Sequence, residues 1–372
     1  MRKFGFLVHP LSLEDIKRYE PGAADKGVPL IRKILEWMPP YKVSKVENVV
    51  GKTGEQVEGY FIGIGLLPDQ MLELPRDSVM ERILRGVDMA NEWGCDIVGL
   101  GGFTAVIGDG GITVAEHSRI PVTTGNSYTI AAGVQSLLRG AREMEIDVRS
   151  ASATVVGATG SIGSACAQIL GNYVARLKLT ARNATRLKNL ARAIGPHVSA
   201  AVDWTTDITA AVRSSDLVLT ATAATSSLIL PEDLRPGAVV CELSLPHDVS
   251  RRVATERPDV LVTEGGNILM PGEVRFNFDF GLPKNVALAC VSETMILALE
   301  NRLENYSVGR GINLEKVLEI ERLAEKQGFR LAGMRAFDKA ITDEQIAQTR
   351  AYARSARAAA PPQPMSAGGA SQ

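Results

Sequence analysis

The chain has 372 residues, enough for two domains with a buried core, and its composition is that of an ordinary globular protein. Its formal net charge is −1 with both signs mixed along the sequence, which excludes a broad cationic surface for nucleic acid or anionic lipid. The four cysteines are widely separated and include no CxxC pair, which excludes a disulfide framework and a zinc pattern and indicates a reducing compartment.

Residues 1–150 are predicted to form an N-terminal α/β substrate domain. Short β-like runs at residues 4–8, 57–64 and 97–100 accompany a helical pattern over residues 78–93, where apolar residues recur at intervals of three and four. The first residues turn polar after a short apolar run, and no later apolar run approaches the length of a membrane span. We therefore expect a cytoplasmic protein without a transmembrane segment.

Residues 151–282 show a regular alternation of apolar strands and helices. This pattern is typical of a doubly wound parallel sheet, the Rossmann fold. Helices are expected from Ile162 and Thr185. The strands are expected at residues 153–157, 177–181, 217–221, 238–243 and 260–263. The predicted fold class is therefore α/β, with an N-terminal α/β domain, a Rossmann domain and C-terminal helices.

Residues 283–330 are predicted to be a C-terminal helical segment. Its helices are expected over residues 286–305 and 314–327, separated by a glycine-rich stretch. From residue 355 the chain consists largely of Ala, Pro, Gly and Ser, which bury too little apolar surface to order a segment. Residues 355–372 are therefore predicted to be a disordered tail.

The loop between the first Rossmann strand and its helix is predicted to bind a dinucleotide. Gly157 permits a tight turn, Gly160 lets backbone N–H groups approach a pyrophosphate, and Gly163 allows close helix packing. The helix N-terminus favours an anion, and the strand, loop and helix context favours this interpretation over a plain glycine-rich turn. The loop residues assigned to the cofactor are Gly157, Thr159, Gly160, Ser161, Ile162 and Gly163.

Basic residues after the second Rossmann strand favour NADPH as the cofactor. About twenty residues past the glycine loop, an NAD-binding protein usually carries an acidic residue for the ribose. Here the chain has Arg182 and Asn183, with Arg186 as a further contact. A guanidinium pairs well with a 2′-phosphate. The alternative is a solvated arginine at a strand end.

Cys290 is the candidate nucleophile. It lies beyond the Rossmann domain near the start of a predicted helix, where the pKa of a thiol can be lowered. If that helix begins nearer to Pro283, Cys290 lies too deep for the helix dipole to act. Cys95, Cys166 and Cys241 lie in or beside apolar elements and are interpreted as core residues, an interpretation that is also open for Cys290.

Several neighbours of the predicted site are further candidates. Glu293, one turn after Cys290, is a candidate base or orienting group, or an exposed helix residue. Tyr128 is a candidate proton donor. Asn126 or Ser127 is also placed to cap a helix from Ile130.

Glycines after the strand at residues 97–100 form a second predicted site element. Backbone N–H groups of Gly101, Gly102 and Phe103 are placed to stabilise an oxyanion or border the nicotinamide. A loop that needs positive φ is the alternative. The four histidines lack metal-ligand spacing, so no metal is predicted.

A series of short motifs occurs in order between residues 4 and 329. They are Ser12-Leu13-Glu14, Leu100-Gly101-Gly102-Phe103, Thr123-Thr124-Gly125-Asn126, the glycine loop, Ala181-Arg182-Asn183, and Ala289-Cys290 with Glu293 and Met295. In these motifs the sequence resembles the cyanobacterial-type long-chain acyl-carrier-protein reductases, which make fatty aldehydes. Residues 242–248 match that pattern poorly, and the alanine-rich tail lies outside it.

The resemblance implies a reaction. Cys290 would take a fatty acyl group as a thioester from acyl carrier protein or acyl-CoA, and NADPH would reduce it to an aldehyde for an aldehyde-consuming partner enzyme. Asn126 and residues 101–103 would form the substrate and oxyanion region. Because a carrier protein is acidic, a basic patch is expected, with Arg302, Arg310 and Lys316 as its candidates.

Two other functions are open. One is an NADP-dependent dehydrogenase of a small hydroxy or amino acid, similar in layout to shikimate dehydrogenases, which would transfer hydride without covalent capture. The other is an NADP-binding sensor without turnover. The need for Cys290 distinguishes the reductase from the dehydrogenase.

Overall fold

Two main sheets with helices on their faces organise the chain, and the computed structural model describes residues 1–107, 109–279 and 281–359. The strands, in chain order, are β1 (Arg2–Val8), β2 (Tyr41–Val50), β3 (Gln56–Gly63), β4 (Ile97–Leu100), β5 (Val122–Thr123), β6 (Ser152–Val156), β7 (Arg176–Thr180), β8 (Ala201–Thr205), β9 (Leu217–Thr220), β10 (Val239–Glu242), β11 (Leu261–Glu264), β12 (Asn267–Leu269), β13 (Val286–Leu288), β14 (Arg330–Leu331), β15 (Arg335–Ala336) and β16 (Lys339–Ala340). The α-helices are α1 (Leu13–Tyr19), α2 (Val28–Trp37), α3 (Pro68–Glu73), α4 (Arg76–Glu92), α5 (Phe103–Ile107), α6 (Ile112–His117), α7 (Asn126–Glu143), α8 (Ser161–Leu170), α9 (Ala184–Ile194), α10 (Ile208–Arg213), α11 (Val253–Glu256), α12 (Ala289–Leu299), α13 (Leu314–Gln327) and α14 (Asp343–Ala359). Within these described ranges, no helix has both the length and the apolar character needed to cross a bilayer.

The N-terminal sheet has the order β2-β3-β1-β4-β5, in which β2 is antiparallel and the other strands are parallel. The strands predicted at residues 4–8, 57–64 and 97–100 are confirmed as β1, β3 and β4, and the helix predicted at residues 78–93 is α4. The edge strand β2 was missed because two irregularities in its pairing break the alternation of apolar residues. The turns after β1, β4 and β5 lie at one edge of this sheet.

The Rossmann prediction is confirmed by a six-stranded parallel sheet of order β11-β10-β9-β6-β7-β8. The chain winds outward in both directions from the pair β6 and β9, which is the doubly wound order. The outer strand β8 was missed because none of its residues is fully buried, so its apolar signal is weak. Ligands of such sheets bind at the carboxyl edge beside the switch point between β6 and β9.

The helix predicted over residues 286–305 is wrong at both ends. Residues Val286–Leu288 form β13, which pairs antiparallel with β12, and α12 follows directly. An apolar run fits either pattern, and here pairing with β12 decides. At the other end, the Arg2 side chain donates hydrogen bonds to the carbonyl oxygens of Ala298 and Leu299. The second predicted helix, α13, is confirmed.

The predicted disordered tail of residues 355–372 begins too early, because α14 continues to Ala359. Alanine has the highest helix propensity, so an alanine-rich segment prolongs a helix that is anchored elsewhere. Arg354 pairs with Glu145 and anchors α14 near the end of α7. Residues 360–372 lie outside the described part of the chain.

Helix α7 joins the two sheets. It packs on α8 and β10 of the Rossmann domain and on α12 and α13. Glycines allow the close approach, since a Cβ added at Gly133 would lie 2.6 Å from Leu243 Cδ1 and one at Gly140 would lie 2.7 Å from Val239 Cγ1. Helix α12 in turn packs on β1 and β4, so the C-terminal segment completes the N-terminal domain.

The contact between β4 and α12 gives a stability prediction. A Cβ added at Gly99 would lie 2.3 Å from Thr294 Oγ1 and 2.4 Å from Phe6 Cδ2. Gly99→Ala is expected to lower the free energy of unfolding by about 1–3 kcal/mol through overpacking, as measured by urea denaturation. Gly195→Ala is the control, because an added Cβ there has no neighbour within 4 Å. Equal losses in both variants would contradict this packing.

Candidate functional site

Cys290 is the second residue of α12, whose N-cap is Leu288. The structure thus places this thiol at a helix N-terminus, as predicted, although the predicted helix start was too early. As a residue Cys290 is partly exposed, whereas Cys95, Cys166 and Cys241 are buried. Of these four thiols, Cys290 is therefore the one accessible to a substrate.

The turn before α7 lies directly against Cys290. Gly125 is the N-cap of α7 and has a φ of 74°, and a Cβ added there would lie 2.3 Å from the Cβ of Cys290. Only glycine fits both the backbone conformation and the space. Helix α7 begins at Asn126 and not at Ile130 as predicted, so the cap is Gly125 and neither Asn126 nor Ser127. Two helix N-termini therefore meet at the thiol.

Glu293 holds this turn in place. Its carboxylate is fully buried and accepts hydrogen bonds from Thr123 Oγ1 at 2.5 Å, Ser307 Oγ at 2.7 Å and the backbone N–H of Tyr128 at 2.8 Å. Burial raises the pKa of Glu293, and these hydrogen bonds oppose the rise. Of the two predicted roles, the geometry corresponds to the orienting group, and the exposed-residue alternative is wrong.

Ser307 and Thr123 are site residues that the sequence reasoning missed. The Ser307 hydroxyl lies 2.7 Å from both Glu293 Oε1 and Ser127 Oγ, and it accepts from the backbone N–H of Ser127 at 3.0 Å. Its carbonyl oxygen accepts from Thr124 Oγ1 at 2.6 Å. The glycine-rich stretch between α12 and α13 was interpreted as a break between two helices. It is thus also part of the site.

The environment of Cys290 favours the protonated form of its thiol. Burial raises its pKa to about 12, and the nearby charge of Glu293 adds to the rise. The backbone N–H groups of Val291 and Cys290 oppose it without overcoming it. Attack on a substrate therefore requires removal of the proton as the substrate binds.

The glycine loop between β6 and α8 fits a dinucleotide pyrophosphate. A Cβ added at Gly157, whose φ is 81°, would lie 2.3 Å from Ala221 O, and one at Gly163 would lie 2.3 Å from Gly157 O. Gly160 is the N-cap of α8, and the first helical N–H to find a carbonyl partner is that of Ser164. Within the described part of the chain, the N–H groups of residues 161–163 have no carbonyl partner and so are available to a phosphate.

Asn126 connects the glycine loop to Cys290. Its Nδ2 donates to Ser161 Oγ at 3.4 Å, while the preceding residue, Gly125, touches Cys290. The structure thus brings the predicted nucleophile, the turn of residues 123–126 and the cofactor loop together.

The predicted 2′-phosphate residues lie beside the same loop. Arg182 and Arg186 are exposed, and Arg186 Nη2 donates to Thr159 O at 3.5 Å. Asn183 Oδ1 accepts from the backbone N–H of Arg186 at 2.9 Å, so its side chain caps α9. Arg182 and Arg186 are thus the two side chains available for a phosphate.

The predicted oxyanion turn after β4 has most of its donors engaged. The N–H of Gly101 donates to Leu7 O at 3.0 Å, and the N–H of Phe103 donates to Nε2 of the partly buried His9 at 3.0 Å. Gly102, with a φ of 54°, contributes the remaining N–H of the turn. Asn126 is therefore better placed as a donor near Cys290 than this turn.

Tyr128 brings its backbone N–H to the site through Glu293. Its ring is buried in the core, and burial together with the charges of Glu321 and Glu325 on α13 raises the pKa of its hydroxyl. The structure therefore places this hydroxyl in the neighbourhood of α13, where a proton-donor role has no support.

The basic residues considered for a carrier protein all have partners in the structure. Arg302 pairs with Glu319 at 2.9 Å, Arg310 lies 3.8 Å from Asp109, and Lys316 donates to a backbone carbonyl. Exposed pairs of this kind contribute little to stability and can exchange partners.

Comparisons with known proteins agree with this architecture. The family model for shikimate / quinate 5-dehydrogenases matches residues 140–264, which contain the Rossmann sheet. The aminotransferase PigE of Serratia sp. is 32% identical over 368 residues, covering 94% of this chain and 42% of that protein. The long-chain acyl-[acyl-carrier-protein] reductase of Synechococcus elongatus is 28% identical over 353 residues, and the match covers 88% of this chain and 98% of that protein. This chain spans less than half the length of the Serratia relative.

Among solved structures, L-tryptophan dehydrogenase from Nostoc punctiforme matches with a TM-score of 0.38 and 12% identity, over 96% of this chain and 90% of that one. The doubly wound sheet and the glycine loop define a Rossmann domain whose loop fits a nicotinamide dinucleotide, and the similarities to the dehydrogenase model and to the Synechococcus reductase are similarities to oxidoreductases.

The raised pKa of Cys290 gives a prediction for its reactivity. Without cofactor or substrate, the rate of alkylation by iodoacetamide should rise about tenfold per pH unit from neutral pH to about pH 10, because the thiolate fraction grows below the pKa. Mass spectrometry of the Cys290 peptide measures this rate. A plateau below about pH 8 would instead indicate a stabilised thiolate.

Glu293→Gln tests the hydrogen bonds around the turn. An amide NH₂ would face hydroxyl or N–H donors, so the free energy of unfolding should fall by about 1–3 kcal/mol. Loss of the charge should also lower the pKa of Cys290 and so speed its alkylation at a given pH. Glu304→Gln is the control, since Glu304 is exposed. Unchanged stability and alkylation in Glu293→Gln would refute the assignment.

Proposed function

We propose that this protein reduces a fatty acyl thioester to a fatty aldehyde with NADPH, through an acyl group bound to Cys290. The observation that carries the proposal is the position of Cys290. Cys290 is a partly exposed residue at the N-terminus of α12, in contact with a turn that reaches the glycine loop through Asn126. The similarity to the Synechococcus reductase supports the same function.

In the first half of the reaction, Cys290 Sγ attacks the acyl carbonyl carbon. A new C–S bond forms, the bond to the donor sulfur breaks, and the donor thiol leaves with the proton that Cys290 gives up. The N-terminal ends of α7 and α12 would stabilise the oxygen that becomes negative, and we assign the Asn126 amide as the side-chain donor to it. Glu293 acts as a positioning residue, because it holds the turn and not the substrate.

In the second half, the glycine loop would hold NADPH, whose chemistry when bound would be to supply hydride to the acyl carbon. The chain's own part is to hold the thioester beside the cofactor and to accept the sulfur back as Cys290, which recovers a proton as the aldehyde leaves. Gly157, Gly160 and Gly163, with the N–H groups of residues 161–163, would hold the pyrophosphate. Arg182 and Arg186 would hold the 2′-phosphate.

A second candidate is a dehydrogenase that transfers hydride from a small hydroxy or amino acid to NADP⁺ without covalent capture. The match of residues 140–264 to the shikimate / quinate dehydrogenase model favours it. That match covers the nucleotide domain, which both candidate functions share. It does not reach Cys290 or the turn at residues 123–126.

The similarity to the Serratia aminotransferase suggests the fate of the product. This chain matches 42% of that protein, so the remainder of the relative lies outside the match. An aminotransferase consumes a carbonyl compound, and the proposal therefore assigns the aldehyde to an amino-group-transferring partner. With this chain alone, free aldehyde should accumulate, and a carbonyl-trapping reagent measures it.

The proposal predicts an acyl adduct. Incubation of the protein with a long-chain acyl thioester without NADPH should add the mass of one acyl group, and digestion should place it on the Cys290 peptide. Cys290→Ser should form no thioester adduct but should still bind NADPH. Because both side chains are small, folding is expected to be retained.

Two results would decide against the reductase. Full reductase activity in Cys290→Ser would remove the covalent step and favour the small-acid dehydrogenase. Adduct formation that NADPH never discharges, with NADPH binding intact, would indicate a protein that binds the cofactor without turnover. Acyl carrier protein and acyl-CoA are compared as donors in the same assay.

A further inference from the structure

A second group of titratable side chains lies at the carboxyl edge of the Rossmann sheet. His247, Glu264 and Asp338 each offer one ligand atom, and these three atoms lie within 4.8 Å of one another. They come from separate parts of the chain: the loop after β10, the last residue of β11 and the turn of the β15–β16 hairpin. None of them belongs to the site around Cys290.

The His247 ring is oriented by a buried carboxylate. Its Nδ1 lies 2.8 Å from Glu242 Oε2, and Glu242 is almost fully buried at the end of β10. Glu242 Oε1 accepts from the backbone N–H of Val249 at 2.8 Å, which fixes the carboxylate. With Nδ1 donating to Glu242, the other ring nitrogen presents a lone pair. A carboxylate behind a histidine in this way is the usual second-shell partner of a metal-bound imidazole.

The two remaining carboxylates have oxygens that can accept a further partner. Glu264 accepts from the N–H of Asp338 at 3.0 Å and from Asn267 Nδ2 at 3.0 Å, one bond on each oxygen. Asp338 accepts from Arg251 Nη2 at 2.5 Å. Since each carboxylate oxygen has two lone pairs, both groups keep free acceptor positions.

The charge of the group also favours a cation. With a neutral histidine, the three carboxylates Glu242, Glu264 and Asp338 and the guanidinium of Arg251 leave two negative charges. The Arg251–Asp338 pair is about two-thirds exposed on both sides, so it is weak and can yield to a stronger ligand. A divalent ion would offset the remaining charge.

We propose that His247, Glu264 and Asp338 bind one divalent transition-metal ion, with Glu242 as the outer partner of the histidine. One imidazole and two carboxylates suit zinc or manganese better than magnesium, which prefers oxygen ligands alone. The ion would fasten the β15–β16 hairpin to the ends of β10 and β11. The site does not depend on the proposed reduction.

The position beside the cofactor crevice gives the ion a structural role. Ser244 and Asp248, in the same loop as His247, bond to Thr222, which follows β9. Thr222 in turn lies against the glycine loop, where a Cβ added at Gly157 would come within 3.0 Å of its Cγ2. The metal would therefore stiffen a loop that borders the dinucleotide.

Zinc titration of the untagged, EDTA-treated protein tests the site. The titration uses the Cys290→Ser background, because a thiol is itself a zinc ligand. Calorimetry with ZnCl₂ should give one binding site, and saturating zinc should raise the melting temperature. His247→Gln, Glu264→Gln and Asp338→Asn should each weaken binding by at least about tenfold, and Glu242→Gln by about 10–100-fold.

His117→Gln is the matched control. Its imidazole is exposed and bonds to a backbone carbonyl, so zinc binding should not change. The absence of saturable zinc binding would overturn the proposal. The positive charge of the group would then be a proton on His247. Equal affinities in His247→Gln and His117→Gln would also overturn it. If His247→Gln fails to fold, Glu264→Gln and Asp338→Asn decide.

Discussion

The buried carboxylate of Glu293 is the constraint on which the arrangement around Cys290 depends. A buried carboxylate is costly unless donors surround it, and here the donors come from the end of β5, the first turn of α7 and the stretch after α12. Meeting this requirement brings three distant segments to one point. Gly125 is thereby held against Cys290, where any side chain would collide. The Cys290 thiol is thus positioned by the hydrogen bonds of a buried carboxylate one helical turn away.

Three helices begin near this point. Helix α12 carries Cys290, α7 follows Gly125, and α8 follows the glycine loop, with Asn126 and Ser161 joining the last two. Helix N-termini favour negative charge, and the proposed reaction involves two negative groups, the pyrophosphate of the cofactor and the acyl oxygen during attack. The Rossmann domain supplies α8, the N-terminal domain supplies α7, and the C-terminal segment supplies α12. The site therefore requires both domains, which α7 holds together.

Much of the fold could be predicted from local patterns, since continuous apolar strands and a glycine loop are encoded within a few residues. The edge strands β2 and β8 could not, because half-exposed strands carry a weak apolar signal. At residues 286–288 an apolar run fits a strand or a helix, and only pairing with β12 decides. The position of a residue within a helix, which matters for Cys290, was consequently the least predictable feature.

The candidate site divides in the same way. Cys290, Glu293 and the glycine loop were found because each has a local signal in residue type and spacing. Thr123 and Ser307 were not found, because both are distant from Glu293 in the sequence and a single hydroxyl residue gives no pattern. His247 was dismissed for a similar reason: its neighbours Glu264 and Asp338 are adjacent only in the folded chain.

A single-turnover chase shows whether the Cys290 thiol and the glycine loop serve one reaction. Protein carrying an acyl group on Cys290 is freed of excess thioester and mixed with NADPH, while the adduct mass, NADPH absorbance and aldehyde are followed together. We expect one equivalent of NADPH to be consumed and one equivalent of aldehyde to appear, both at the rate at which the adduct disappears. An adduct that persists while NADPH binds, or that hydrolyses to fatty acid without consuming NADPH, would contradict it.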